Sequence, residues 1–191
     1  LSLANKTKFS NYLISLGYTD QLGYLLNEGY SRVNARINID NTITDWLSIG
    51  IQSFLTSSDY SGQDATPNDR YSSPYATAYN ADGELIQIVA GNVINPFIKA
   101  KADDLDKRLN MFGNIFADIS FPFIKGLTYR FNFANNYRTN SEYSFREYGS
   151  SFQGQGSKYE AIGYDWSSDN ILTYKREFNN DHNLNVTLVY G

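Results

Sequence analysis

The sequence predicts a mainly β fold. It is an antiparallel up-and-down meander of about seven strands, part of a large transmembrane β-barrel. Three observations carry this reading. Residues 30–40 alternate, with Val33, Ala35, Ile37 and Ile39 on one parity and Asn34, Arg36, Asn38 and Asp40 on the other. Successive strand side chains point to opposite faces, so this segment has one apolar face and one wet, charged face. The pattern recurs in segments of roughly nine to thirteen residues, about the length a tilted strand needs to cross hydrocarbon. The connections between them alternate long and short, as outer-membrane barrels sort their loops and turns.

The elements follow in order. Residues 8–19 place Tyr12, Ile14, Leu16 and Tyr18 against Asn11, Ser15, Gly17 and Thr19, and residues 30–42 form the second strand. After a short turn at Asp45 and Trp46, residues 47–55 align Leu47, Ile49, Ile51 and Leu55 against Ser48, Gly50 and Gln52. Residues 57–106 read as a long loop, crowded with Ser, Asp, Pro, Asn and Gly, with a small hairpin near residues 85–89. Residues 109–121 alternate clearly, although Phe112 and Phe116 intrude on the wet parity. Residues 127–137, 169–178 and 184–190 complete the set, with a second long loop expected over residues 138–166. Chain neighbours are expected to pair antiparallel, within one partial barrel domain covering residues 1–191. Aromatic girdles are expected from Trp46, Phe121, Phe123 and Phe178 at the short-turn end, and from Tyr18, Tyr30, Tyr137 and Trp166 at the other.

Composition narrows the function. The 191 residues include 16 Tyr, 1 His and no Cys, with 16 basic residues against 20 acidic for a net charge of −4. The absence of Cys excludes disulfides and thiolate metal sites. No basic patch marks a nucleic-acid partner. No apolar run approaches the length of a membrane helix, and the chain opens on Leu1 rather than Met, reading as a piece of something longer.

Residues 11–21 followed by residues 30–40 resemble the SusC/RagA type of TonB-linked outer-membrane transporter. Residues 44–50, 108–114, 125–128, 169–174 and 182–186 fit the same family; the long loop matches least. The resemblance implies an interior stretch of a single-chain barrel that encloses a plug domain, in the outer membrane of a Gram-negative cell. It implies import of glycans, peptides or other oligomeric nutrients, powered through TonB, beneath a SusD-like surface lipoprotein. The plug and the TonB-contacting part are not in this sequence. No cofactor is implied.

Candidate residues are weighed against plainer roles. Tyr60, Tyr71, Tyr75 and Tyr79 stud the first long loop, and Phe145, Tyr148, Tyr159 and Trp166 the second. Tyr60, Tyr71, Tyr75 and Trp166 are the candidate ligand contacts, because aromatic rings stack on sugars and carry polar edges; packing of the loop on itself is the plain alternative. Arg36, Asp40 and Arg130, with Arg138, sit on the wet parity and are expected to face the lumen. Asp59, Asp64 and Asp69 lack the spacing of a calcium loop and read as solvated. His182 has no nucleophile in a recognisable arrangement, and no carboxylate pair suggests a hydrolase, so neither catalysis nor a resident metal is expected. The alternative to a transporter wall is a soluble carbohydrate-binding β-sandwich, in which a second sheet covers the apolar parity.

Overall fold

The computed structural model describes residues 1–24, 27–62, 73–90, 93–95, 97–98, 103–146, 154–178 and 182–191. Its strands are β1 (Ser2–Lys6), β2 (Ser10–Leu22), β3 (Gly29–Thr44), β4 (Leu47–Asp59), β5 (Ile88–Ala90), β6 (Val93–Ile94), β7 (Asp103–Ser120), β8 (Leu127–Arg146), β9 (Gln155–Phe178) and β10 (His182–Tyr190). Eight of them form one sheet in the order β1-β2-β3-β4-β7-β8-β9-β10, each antiparallel to its neighbour. The expected meander is therefore present, with chain-neighbour pairing. Among the described residues the sheet does not close, and β1 and β10 are its edges.

The register separates the two faces. Residues directly opposite across a ladder share a face. One row runs Tyr12, Ile39, Ile51, Ile115, Phe133; the next runs Asn11, Asp40, Gly50, Phe116, Asn132, Asp169. The apolar side chains are not covered. Ile14, Leu16, Val33, Ile37, Ile49, Ile51, Met111 and Ile115 are all exposed, and the only buried apolar side chain among the described residues is Phe116, on the other face. A sandwich core would have buried the first set, so the soluble alternative is not favoured.

The connections at one end of the sheet have six residues or fewer, at positions 7–9, 45–46, 121–126 and 179–181; at the other end residues 23–28 also number six, and those after β4 and β8 are longer. Glycine is required in one of them. Gly126 has φ +90°, and a Cβ there would lie 1.8 Å from the Lys175 carbonyl oxygen.

The structure departs from the sequence-based expectation at several places, among them β7, which begins at Asp103, six residues before the expected strand and inside the expected loop. β1 adds a strand. β4 continues four residues beyond Leu55, to Asp59. The expected loop over residues 138–166 is mostly strand: β8 runs 20 residues to Arg146 and β9 begins at Gln155 and runs 24. Above the apolar band both faces of these strands turn polar, so the alternation that reveals a strand is absent there. On the outward face, the row Asp20, Ser31, Asp59, Lys107, Ser141, Glu160 ends the band. Lys107 pairs with Asp59 at 3.6 Å and Lys158 with Glu160 at 3.2 Å. The Tyr143 hydroxyl also donates to Glu160, and this bond first, then Lys158, holds the Glu160 carboxyl below the usual carboxylate range. That charge therefore persists into mildly acid solution and is lost only as pH falls through the lowered value.

The long connection contains an ordered unit. Asn95, only 1% exposed, donates from Nδ2 to the Ala78 and Ile86 carbonyls, both at 2.8 Å, and accepts from the Phe97 N–H at 3.1 Å. Tyr79 stacks on Phe97 at 6.4 Å. The Ala78 carbonyl also accepts from the Ile86 N–H at 2.9 Å, so Asn95→Ala leaves the Ile86 carbonyl without a donor and the Phe97 N–H without its acceptor, at about 1–3 kcal/mol each. Amide exchange of residues 78–98 is expected to accelerate strongly while β2–β4 exchange is unchanged; equal protection would show that Asn95 does not organise the loop.

Candidate functional site: the polar face of the sheet

The strands place carboxamides, arginines and small side chains on one face by simple alternation. Arg36, Asp40 and Arg130 all lie on it. Arg36 stands between Ser15 and Phe54, Asp40 between Asn11 and Gly50, and Arg130 between Asp118 and Ile171. Arg130 pairs with Asp118 at 3.5 Å, donates from Nε to Asn132 at 3.1 Å, and lies 4.6 Å over the Phe116 ring. The intrusion of Phe116 on the wet parity thus has a local explanation: the ring is roofed by Arg130 and packs into the space left by Gly50, where a Cβ would come within 2.3 Å of it. Phe54 and Phe112 stack beside it at 5.4 Å.

Nearer the long-connection end the face opens into two hollows that meet at Thr56. One, of about 420 Å³, is bordered by Ser58, Arg108, Asn110, Arg138 and Asn140. The other, of about 470 Å³, is bordered by Ser15, Gly17, Arg32, Asn34 and Arg36. Arg108 is held bidentately by Asp106, with Nε at 3.0 Å and Nη2 at 2.7 Å, and covers the Tyr60 ring at 4.8 Å. Arg138 pairs with Asp165. Arg32 and Arg36 make no ion pair with any described residue, and Arg32 Nε, Asn110 Oδ1 and Asn140 Oδ1 are shielded without a hydrogen-bond partner among the described residues. Sequence reading singled out Arg36 and Arg138 but missed Arg32 and Arg108. Their parity was legible; the convergence of the four arginines across the neighbouring strands β3, β4, β7 and β8 depends on register.

The aromatic candidates scatter. Tyr60, at the end of β4, packs on Tyr30 at 4.8 Å, and both belong to the polar face rather than to a girdle. Tyr75 is 94% exposed in the long connection. Trp166, expected on a loop, lies inside β9 on the exposed apolar face, opposite Asn135 and stacked on Phe133 at 6.1 Å. Phe145 and Tyr159, also expected on that loop, belong to β8 and β9. Tyr71, Tyr148, Asp64 and Asp69 lie outside the described residues. At the short-turn end Trp46, Phe123 and Phe178 are exposed as expected. Asp59 is occupied by Ser61 and Lys107, and no group of metal-ligating residues occurs among the described residues.

The chain is 26% identical over 186 residues to "TonB-dependent receptor P39" of Formosa agariphila, a match covering 92% of this chain and 17% of that protein. Its fold matches the RagAB peptide transporter with a TM-score of 0.74 at 19% identity, covering 98% of this chain and 23% of that one. The sequence is thus similar to a TonB-dependent receptor, and the fold to the RagAB transporter. The RagAB peptide importer in its "open-open" state agrees, with a TM-score of 0.72 at 19% identity, covering 96% of this chain and 22% of that one. No protein-family model matches. The chain spans about a fifth of the length of these relatives, and its open sheet matches a stretch of the RagAB fold.

Proposed function

We propose that this chain is part of the wall of a TonB-linked outer-membrane importer of oligomeric nutrients, glycans or peptides. The observation that carries the reading is the uncovered apolar face on a single-layer sheet with a polar reverse. In this reading Ile51 and its row meet acyl chains, and Trp166 with them, so Trp166 is assigned to the bilayer and not to the ligand. Arg36, Asp40 and Arg130 face the interior. Tyr75 on the long loop and Tyr60 at the mouth contact the incoming substrate, and Tyr71 is assigned the same role from the sequence. Energy enters through TonB by parts of the protein outside this stretch, and a SusD-like surface lipoprotein covers the mouth. The wall performs no covalent chemistry.

The likeness to a TonB-dependent receptor and to RagAB supports this reading. So do the strand lengths, because β7–β9 exceed the ten or so residues that cross a bilayer and continue outward at the long-connection end. This stretch contains no Cys, so single thiols introduced into it report their own surroundings. In the full-length receptor in native outer membranes, Gln52→Cys is expected to react with a water-soluble maleimide at least about tenfold faster than Ile51→Cys, because a thiol in hydrocarbon neither ionises nor meets the reagent. Equal labelling would remove the bilayer from the apolar face.

A further inference from the structure

Across the whole chain acidic residues outnumber basic ones by 20 to 16. The two hollows on the polar face reverse that balance: Arg32, Arg36, Arg108 and Arg138 border them, and no Asp or Glu does. The carboxylates nearest by register are Asp106, Glu142 and Asp165, all outside the hollows: Asp106 and Asp165 hold Arg108 and Arg138, and Glu142, opposite Asp106, accepts from Asn140. Asp106 and Asp165 each engage one edge of a guanidinium that carries five donors, so further N–H groups stay free. Arg32 and Arg36 have no carboxylate at all among the described residues. Thr56 and Ser58 lie between the four cations, with Phe54 and Asn110, and the short side chains Ser15, Gly17 and Gly163 flank them on the outer strands. Each hollow has the volume of a small-ligand site.

We propose that this arginine groove selects carboxylate-bearing oligopeptides over neutral ones. The inference rests on the importer reading above and deepens it. A guanidinium fork takes a carboxylate through two parallel hydrogen bonds, stronger than a neutral contact. Arg36 on β3 and Arg138 on β8 are three strand spacings apart across the sheet, about 14 Å, and two residues apart along it, about 16 Å in all. A ligand engaging both hollows therefore carries two carboxylates about that far apart, roughly four to five residues along an extended peptide. The RagAB proteins of like fold are named as a peptide transporter and importer, which favours a peptide over an acidic glycan.

The test uses the full-length receptor with its lid partner, purified in detergent, and two eight-residue peptides. One carries Asp at positions 2 and 6; its counterpart carries Asn at both. The Asp peptide is expected to bind at least about tenfold more tightly, an advantage that shrinks with added salt. In Arg36→Gln/Arg138→Gln the ratio is expected to approach one. The Lys double variant keeps the charge without the fork, so it is expected to retain a reduced preference, and it is the variant read if the Gln pair fails to assemble. An unchanged ratio in the Gln pair, or a Lys pair with no preference, overturns the proposal. So does an oligouronate of matched length binding more tightly than the Asp peptide. Equal binding of both peptides by the wild-type receptor overturns the groove alone. A receptor that binds and imports none of these oligomers overturns the importer reading as well.

Discussion

Ile51→Arg is expected to destabilise the receptor in a bilayer by about 2–4 kcal/mol, and Gln52→Arg, the next residue, by well under 1 kcal/mol. The two positions differ only in face. Ile51 is 45% exposed at the middle of the apolar stretch of β4, flanked by Ile39 and Ile115. A guanidinium there must stay in hydrocarbon or drag water and headgroups inward. Gln52 stands between Asn38 and Asn114 among groups already suited to a polar medium. Val33, in the outermost apolar row beside Tyr18, is expected to show a smaller penalty for Val33→Asp, still larger than that for Asn34→Asp, because charge costs less near the interface. Urea titration of the receptor folded into phosphatidylcholine vesicles measures all four. Equal losses at Ile51 and Gln52 would falsify the face assignment.

Phe116→Ala is expected to cost about 3 kcal/mol, the ordinary penalty for emptying a buried aromatic site. Phe116 is 7% exposed, lies under Arg130 and packs against the backbone at Gly50. Gly50→Val is expected to cost about 1–3 kcal/mol, because its Cβ would meet the Phe116 ring and approach Asp40 Oδ1 at 2.8 Å. The double variant tests the contact itself. Valine has room once the ring is gone, so the combined loss is expected to fall short of the sum by about 1 kcal/mol or more. Strict additivity in the same urea titration would show that the ring and the glycine are independent.

Legibility followed polarity contrast. β2, β3 and β7 were readable because apolar and polar residues take opposite parities there; only β7 was blurred, at Phe112 and Phe116. The outer halves of β8 and β9 read as loop because Ser141, Tyr143 and Phe145 face one way and Asn140, Glu142 and Ser144 the other, so aliphatic residues mark neither side and the contrast rests on two aromatics. β1 is five residues long with all of them exposed, too short to show a period. Trp166 was misplaced for the same reason as the second loop: its neighbours Asp165 and Ser167 look like loop composition, although they belong to the polar parity of β9.

The alternation along each segment determined, without any coordinates, that this chain makes two-faced antiparallel strands joined by turns at one end and longer connections at the other. Period-two patterning is a local property, and it survives in the bare sequence wherever one face must avoid water. Which residues become neighbours across strands is not local. Arg32, Arg36, Arg108 and Arg138 are spread over more than a hundred positions, and a slip of one residue in any ladder would turn some of them to the apolar side. Only the assembled register brings them around Thr56, and only the single-layer sheet leaves Ile51 and its row uncovered.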